Sequence, residues 1–251
     1  MQISGNTILI TGGASGIGLR LAEELLERGN HVIVAARSQG KLDQLLIERP
    51  ALEGLVLDVT DADAIRDVST NLAQQYPDLN VLINNAGIMV AEDLTNPQAD
   101  LTTAEQIVAT NLLGPIRLTA ALLPHLRRQP RSTIINVSSG LAFVPMACTP
   151  TYCATKAAVH SYTLSLRRQF EGTTTEVIEL IPPSVRTDLM PGHATDPRGM
   201  PLDEFICEVM ALLERSPAEL CVRRVELLRK AEAEHRFEMV FEQLNPRAHA
   251  A

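Results

Sequence analysis

The chain has 251 residues, 45% hydrophobic and 21% charged, which excludes a disordered polyelectrolyte and leaves room for a substantial core. Its formal net charge of -8 at pH 7 gives no basic surplus for non-specific binding to nucleic acid or an acidic membrane surface. The four cysteines, Cys148, Cys153, Cys207 and Cys221, have neither CxxC nor Cys/His ligand spacing, so reduced thiols are expected, with no metal site and no disulfide framework.

Residues 1–6 lack the basic and apolar regions of a secretory signal, and no unbroken apolar run reaches the ~18 residues of a membrane span. A cytoplasmic protein is expected. Residues 7–11 form a β-branched run that ends in a turn rich in glycine, with Gly12, Gly13, Gly16 and Gly18. Leu19, Ala22, Leu25 and Leu26 then recur at helical spacing until Gly29-Asn30 closes the element. With the apolar run 32–36 this makes a βαβ unit whose strands should be buried on both faces.

The alternation continues, with strands predicted at 54–58, 81–84, 134–137 and 177–181. Helices are predicted at 41–49, at 62–76 after a cap at Thr60, at 102–123 with a kink near Gly114-Pro115, and at 152–170. This order predicts an α/β fold, one doubly wound parallel sheet of Rossmann type, in a single domain spanning 1–251. After Pro182-Pro183 the pattern changes: residues 184–201 read as an ordered excursion or lid on the substrate side. Amphipathic helices are predicted at 202–213 and 217–232, and residues 202–251 form a helical extension and tail.

The turn 11–18 is not G-x-G-x-x-G, yet it stands between a first strand and a first helix, where glycine lets backbone approach a pyrophosphate at a helix N-terminus. Gly12, Ser15, Gly16, Ile17 and Gly18 are therefore candidates for nucleotide binding. At the end of the second strand an acidic residue would bond a ribose 2′-OH; here Arg37 stands beside that place, which suits a 2′-phosphate and favours NADP(H), with NAD(H) still open. Asp58, followed by Val59, is a candidate acceptor for an adenine amino group or a cap for the next helix. Asn84-Asn85-Ala86-Gly87 and Ser138-Ser139 end strands at the same sheet edge, where ligands of open parallel sheets lie. Tyr152 and Lys156 are one helical turn apart, an arrangement suited to proton transfer. No G-x-S-x-G elbow is present, which argues against a serine hydrolase.

Together Thr11-Gly12-Gly13-Ala14-Ser15-Gly16-Ile17-Gly18, Asp58-Val59, Asn85-Ala86-Gly87, Asn111, Ser139, Tyr152 and Lys156 resemble the short-chain dehydrogenase/reductase family, over residues 5 to about 189. Pro182-Pro183 and Met200-Pro201-Leu202-Asp203-Glu204-Phe205 resemble the subgroup named for the oxidoreductase of the bacterial D-alanylation operon. The resemblance implies reversible hydride transfer between NADP(H) and a small alcohol/carbonyl substrate. It implies that Tyr152 is general acid/base, that Lys156 and a charged nicotinamide lower its pKa, that Ser139 holds the substrate oxygen, and that Asn111 helps place a relay water. Ser15, Gly16 and Ile17 would meet the phosphates, Asn85, Ala86 and Gly87 the adenosine side, and Pro182, Val185 and Thr187, with Tyr152 and Lys156, the nicotinamide half. A non-catalytic NADP(H)-binding regulator or redox sensor of the same fold is the alternative, and an epimerase or dehydratase a further one. Many members end in a seventh strand and a glycine-rich turn used in tetramers; neither is evident after residue 217, so a homodimer through helices 102–123 and 152–170 is expected.

Overall fold

In the computed structural model, which describes residues 1–96, 98–215 and 217–246, the β-branched runs pair side by side and the leucine-spaced stretches cover both faces of the sheet they form. The strands are β1 Thr7–Thr11, β2 His31–Ala36, β3 Glu53–Val56, β4 Leu79–Asn84, β5 Ser132–Val137, β6 Thr175–Ile181 and β7 Glu219–Cys221. They lie in the order β3-β2-β1-β4-β5-β6-β7, every pairing parallel. Side chains alternate across a strand, so each strand feeds two cores. Ile8, Ile10, Val34 and Ile83 pack with α1 Gly16–Glu27, α2 Gln39–Glu48 and α7 Leu202–Leu213. Leu9, Ile33, Leu82 and Ile134 pack on the other side with α3 Ala62–Gln75 and α5 Gly114–Leu126. The sequence-based expectation of a doubly wound parallel sheet is met.

Chain order reverses between β1 and β4, and such a switch point opens a crevice at the carboxyl ends of the strands. Thr11 locks that junction, because its Oγ1 accepts from the backbone N–H groups of Asn85 and Ala86, both at 3.1 Å.

The helix predicted at 102–123 is three pieces: α4 Thr102–Val108, a π turn Ala109–Leu113, and α5. Pro115 has no N–H to donate, and Val59 presses so close to Gly114 that a Cβ there would lie 3.0 Å from the Val59 carbonyl oxygen. The widened turn leaves Asn111 only 1% exposed. By length and composition Thr102–Leu126 could cross a membrane, but here Ile107, Leu118, Leu122 and Leu126 are buried in the protein core.

Three local expectations are corrected. The cap of α3 is Asp61, which accepts from the N–H groups of Asp63 and Ala64, because the helix begins one residue later than a Thr60 cap requires. Asp58 is therefore no helix cap; its Oδ1 accepts from the Thr60 N–H and hydroxyl, each at 2.8 Å. The stretch 217–232 is no continuous helix: β7 extends the sheet, a 3₁₀ turn Arg223–Val225 follows, and only α8 Glu226–Lys230 is α-helical. Leu220 is completely buried, and the open edge of β6 favours its pairing with Leu180 over the helical pattern that the same stretch could satisfy. The seventh strand is thus present, and its supposed absence no longer argues for a dimer over a tetramer.

The tail folds back as α9 Phe237–Leu244, with Val240 buried against Val144 and Ala231. Residues 247–251 of the expected extension lie outside the described residues. The excursion 184–201 is held as an ordered loop by a parallel bridge between Val185 and Met200. Arg186 ties it further by donating to the carbonyl oxygens of Asp196 and Pro197.

Candidate active site

Helix α1 starts directly after the glycine turn. Its N-cap, Ser15, makes no side-chain capping bond, and the first turn holds no acidic residue, so hydroxyl, N–H groups and the positive helix end all face the crevice. Asn85 donates from Nδ2 to the carbonyl oxygens of Thr11 at 2.9 Å and Gly12 at 3.2 Å, drawing the β4 turn against the β1 turn. This approach demands glycine: a Cβ on Gly18 would stand 2.4 Å from both Asn85 Nδ2 and the Gly12 oxygen. Gly12 has φ +65° and lies against the Ala86 backbone. A backbone-lined anion cradle at a helix N-terminus fits a dinucleotide pyrophosphate.

Beside β4 at the same sheet edge, β5 runs into Ser138-Ser139. Ser138 donates its N–H to the Leu180 oxygen and Gly140 donates to the Pro182 oxygen, both at 2.9 Å, so β6 fixes this strand end. Helix α6, Pro150–Gln169, brings Tyr152 and Lys156 to the same place. Tyr152, Lys156 and Ser139 are 5%, 4% and 7% exposed. Lys156 donates from Nζ to the Val137 oxygen at 2.8 Å and lies 5.6 Å from the Tyr152 ring centre. Asn111 grips the loop beneath them, accepting from the Ile88 N–H and donating to the Ile88 oxygen, each at 2.9 Å, while its Nδ2 also reaches Thr155 Oγ1 at 3.3 Å.

Burial dominates the electrostatics. It pushes the Tyr152 phenol up to about 12, against a downward pull from the Ser139 hydroxyl. It also brings the Lys156 ammonium down to about 8. In the chain by itself desolvation dominates the phenol, whereas the lowering expected from the family resemblance involves a charged nicotinamide as well as Lys156. The resting site at neutral pH pairs a protonated phenol with an ammonium, which is a proton-donating arrangement.

A cleft of about 670 Å³ joins the two places. It is lined by Gly12, Ser15, Gly16, Ile17, Gly18, Asn85, Ala86 and Gly87 at one end. Ser139, Tyr152, Lys156, Pro182, Val185 and Thr187 line its floor. Four expected residues stand outside the lining. Asn111 lies behind the floor, Val59 is buried against Gly114, Asp58 is half-buried in its turn, and Arg37 is exposed at the end of β2 without a partner among the described residues. The remaining wall is mixed: Met89, Leu141, Met146, Leu189, Leu228 and Leu244 are apolar, and Asp188, His193, Asp196 and Arg198 stand beside them. Leu228 and Leu244 escape sequence reading, since only folding brings α8 and α9 here. The apolar spacing of 237–241 is the one sign that the tail packs on anything. Asn245 anchors that tail by donating to the Pro145 oxygen at 3.0 Å and accepting from the Ala147 N–H at 2.6 Å.

Comparison with known proteins agrees with this geometry. The family model described as short chain dehydrogenase matches residues 6–197. An uncharacterized oxidoreductase of Bacillus subtilis (strain 168), DltE, is 39% identical over 249 residues, 98% of each chain. An NADP-dependent 3-hydroxy acid dehydrogenase of Schizosaccharomyces pombe is 32% identical over 74% of each chain. The crystal structure of a short chain dehydrogenase from Burkholderia cenocepacia J2315 in complex with NADP superposes with a TM-score of 0.81 at 26% identity, covering 97% of this chain and 99% of that one. This chain is a member of the short-chain dehydrogenase/reductase family and an oxidoreductase relative of DltE.

Proposed function

We propose that the protein transfers hydride between NADP(H) and an alcohol/carbonyl pair, with Tyr152 as general acid in reduction and general base in oxidation. The observation that carries this reading is the convergence of Ser139, Tyr152 and Lys156 on the buried floor of a cleft whose other end is a glycine-built anion cradle. A bound nicotinamide would supply the hydride or receive it. The protein's own part is to hold the substrate oxygen and move one proton. Ser139 Oγ holds the oxygen, the protonated Tyr152 phenol gives it a proton, and the remaining Lys156 donors steady the ribose and resupply the phenol. Asn111 orients the Ile88 backbone, against which a relay water to Lys156 would stand.

Ser15, Gly16 and Ile17 would hold the phosphates, with Gly12 and Gly18 permitting their approach. Asn85, Ala86 and Gly87 would line the adenosine side, Asp58 and Val59 the adenine, and Pro182, Val185 and Thr187 the nicotinamide half. The exposed Arg37 guanidinium, without a partner among the described residues, suits a 2′-phosphate, and the Schizosaccharomyces pombe relative is NADP-dependent, so NADP(H) is the preferred cofactor. The ratio of NADPH to NADH affinity tests that preference.

The apolar residues of the wall support a small or apolar carbonyl compound, and of the charged groups beside them the Arg198 guanidinium is committed to Asp196 at 3.0 Å. Residues 184–201 act as the substrate-side loop of this single domain, and 202–251 as its C-terminal extension. The assembly is a cytoplasmic homodimer through the helices 102–123 and 152–170, a reading supported by exposed Leu113 on the first and Leu164 on the second; light scattering reads its mass.

NADPH carrying deuterium at the transferable position, incubated with a carbonyl panel, tests the reaction. Deuterium on the product carbinol carbon is expected. Tight NADPH binding with no label transfer to any compound would instead favour the non-catalytic binding protein.

A further inference from the structure

Behind the floor of the cleft lies a buried carboxylate that the proton chemistry does not use. Glu179, on β6, is completely buried, and a carboxylate at that depth is costly unless its oxygens are bonded. Its Oε1 accepts from Ser138 Oγ at 2.5 Å and its Oε2 meets His160 Nδ1 at 2.7 Å. Ser138 is the neighbour of Ser139. His160 is two turns beyond Tyr152 on α6, on the stripe that also carries Lys156. A single side chain therefore ties the strand end holding one half of the candidate site to the helix holding the other.

The surrounding contacts keep that carboxylate in place. Parallel register sets Glu219 of β7 beside Glu179, and both Glu219 oxygens take the Arg229 guanidinium, from Nε at 2.9 Å and Nη2 at 3.0 Å. Arg229 lies 4.7 Å over the Phe143 ring, whose edge meets the His160 ring at 4.7 Å between centres. Glu179, His160 and Glu219 are near enough to suggest a metal cradle, with ligand atoms within 4.8 Å. Yet all four carboxylate oxygens already have protein donors, so the cluster is a closed network.

We infer that Glu179 is a positioning residue that fixes the separation of Ser139 and Tyr152, an inference that rests on the proposed reading of those two side chains. Position matters steeply in such a site, where a displacement of about 1 Å can cost on the order of 100-fold in rate. Ser138→Ala cuts one arm of the tie, and Glu179→Leu removes both while filling the space. Glu179→Gln can still accept from Ser138 and donate to a neutral His160.

In the full-length protein, with NADPH and the best carbonyl compound of a panel, Ser138→Ala and Glu179→Leu should lower kcat about 10- to 100-fold with KM and NADPH affinity unchanged. Glu179→Gln should restore most of the rate. Parental kcat in a folded Ser138→Ala or Glu179→Leu protein would overturn the inference, as would a parallel loss of rate, NADPH affinity and melting temperature in both. If Glu179→Leu does not fold, Ser138→Ala decides. If the parent reduces no compound, the proposed function fails while the positioning role is still read from a crystal structure of Ser138→Ala. There a widened gap between Ser139 Oγ and the Tyr152 oxygen supports the role, and an unchanged gap refutes it.

Discussion

The proposed nucleotide end of the cleft is backbone drawn close by glycine, within the two turns after β1 and β4, whereas the proposed substrate end gathers side chains, many of them apolar, from segments as far apart as Met89 and Leu244. One end tolerates almost no change, because its atoms are already in contact where a Cβ would stand. The other is a wall whose members contribute area rather than fixed geometry, so it can change without unmaking the cradle. A fold of this kind can keep one cofactor and exchange substrates through its tail and its loops.

The floor where the ends meet gives the largest expected effect. Lys156 has a lower pKa folded, about 8, than its ordinary 10.5, so the unfolded chain binds that proton more tightly. The burial penalty is fully present below about pH 8 and gone above 10.5. Chemical denaturation of the protein without cofactor should therefore show Lys156→Met more stable than the parent by on the order of 3 kcal/mol at pH 7. The gap should close as pH rises through that window, and a gap independent of pH would mean that Lys156 is not desolvated.

At the nucleotide end, Gly18→Ala forces Asn85 Nδ2 or the Gly12 carbonyl to move from 2.4 Å. Overpacking of about 1–3 kcal/mol should weaken NADPH binding about 10- to 100-fold in a fluorescence titration. Unchanged affinity would mean that the cradle is softer than its contacts imply. At the substrate end the effect should be smallest: Leu244→Ala removes one wall residue and should raise KM about 3- to 10-fold, with NADPH affinity unaltered. A fall in NADPH affinity there would dissolve the distinction between the two ends.

This contrast also explains what could be read from sequence. The glycines at 12, 16 and 18, the strand-end Asn85 and Ser139, and the pair Tyr152 and Lys156 answer to local sterics and helical spacing, and these leave marks within a few residues. Six of the seven strands are also visible, five of them because parallel strands buried on both faces are nearly continuous apolar runs, while β3 at the sheet edge is partly exposed along its length. β7 is hidden because three residues beside a charged helix look like the helix's own first turn; only the open edge of β6 selects the strand. The Glu179 network, the wall residues Leu228 and Leu244, and the Asn245 anchor depend on tertiary contacts between distant residues, and no local pattern announces them. The burial of the phenol is hidden for the same reason: helical spacing reveals the Tyr152 and Lys156 pair but not the depth at which both groups lie.

The central claim is that Tyr152 moves the proton while the nucleotide end works independently of it. Tyr152→Phe, measured for kcat on a carbonyl substrate and for NADPH affinity in one preparation, tests both parts. Turnover should fall by at least about 100-fold, the range of general acid catalysis, with NADPH affinity nearly unchanged. A Tyr152→Phe protein that still reduces the substrate at the parental rate would contradict the account.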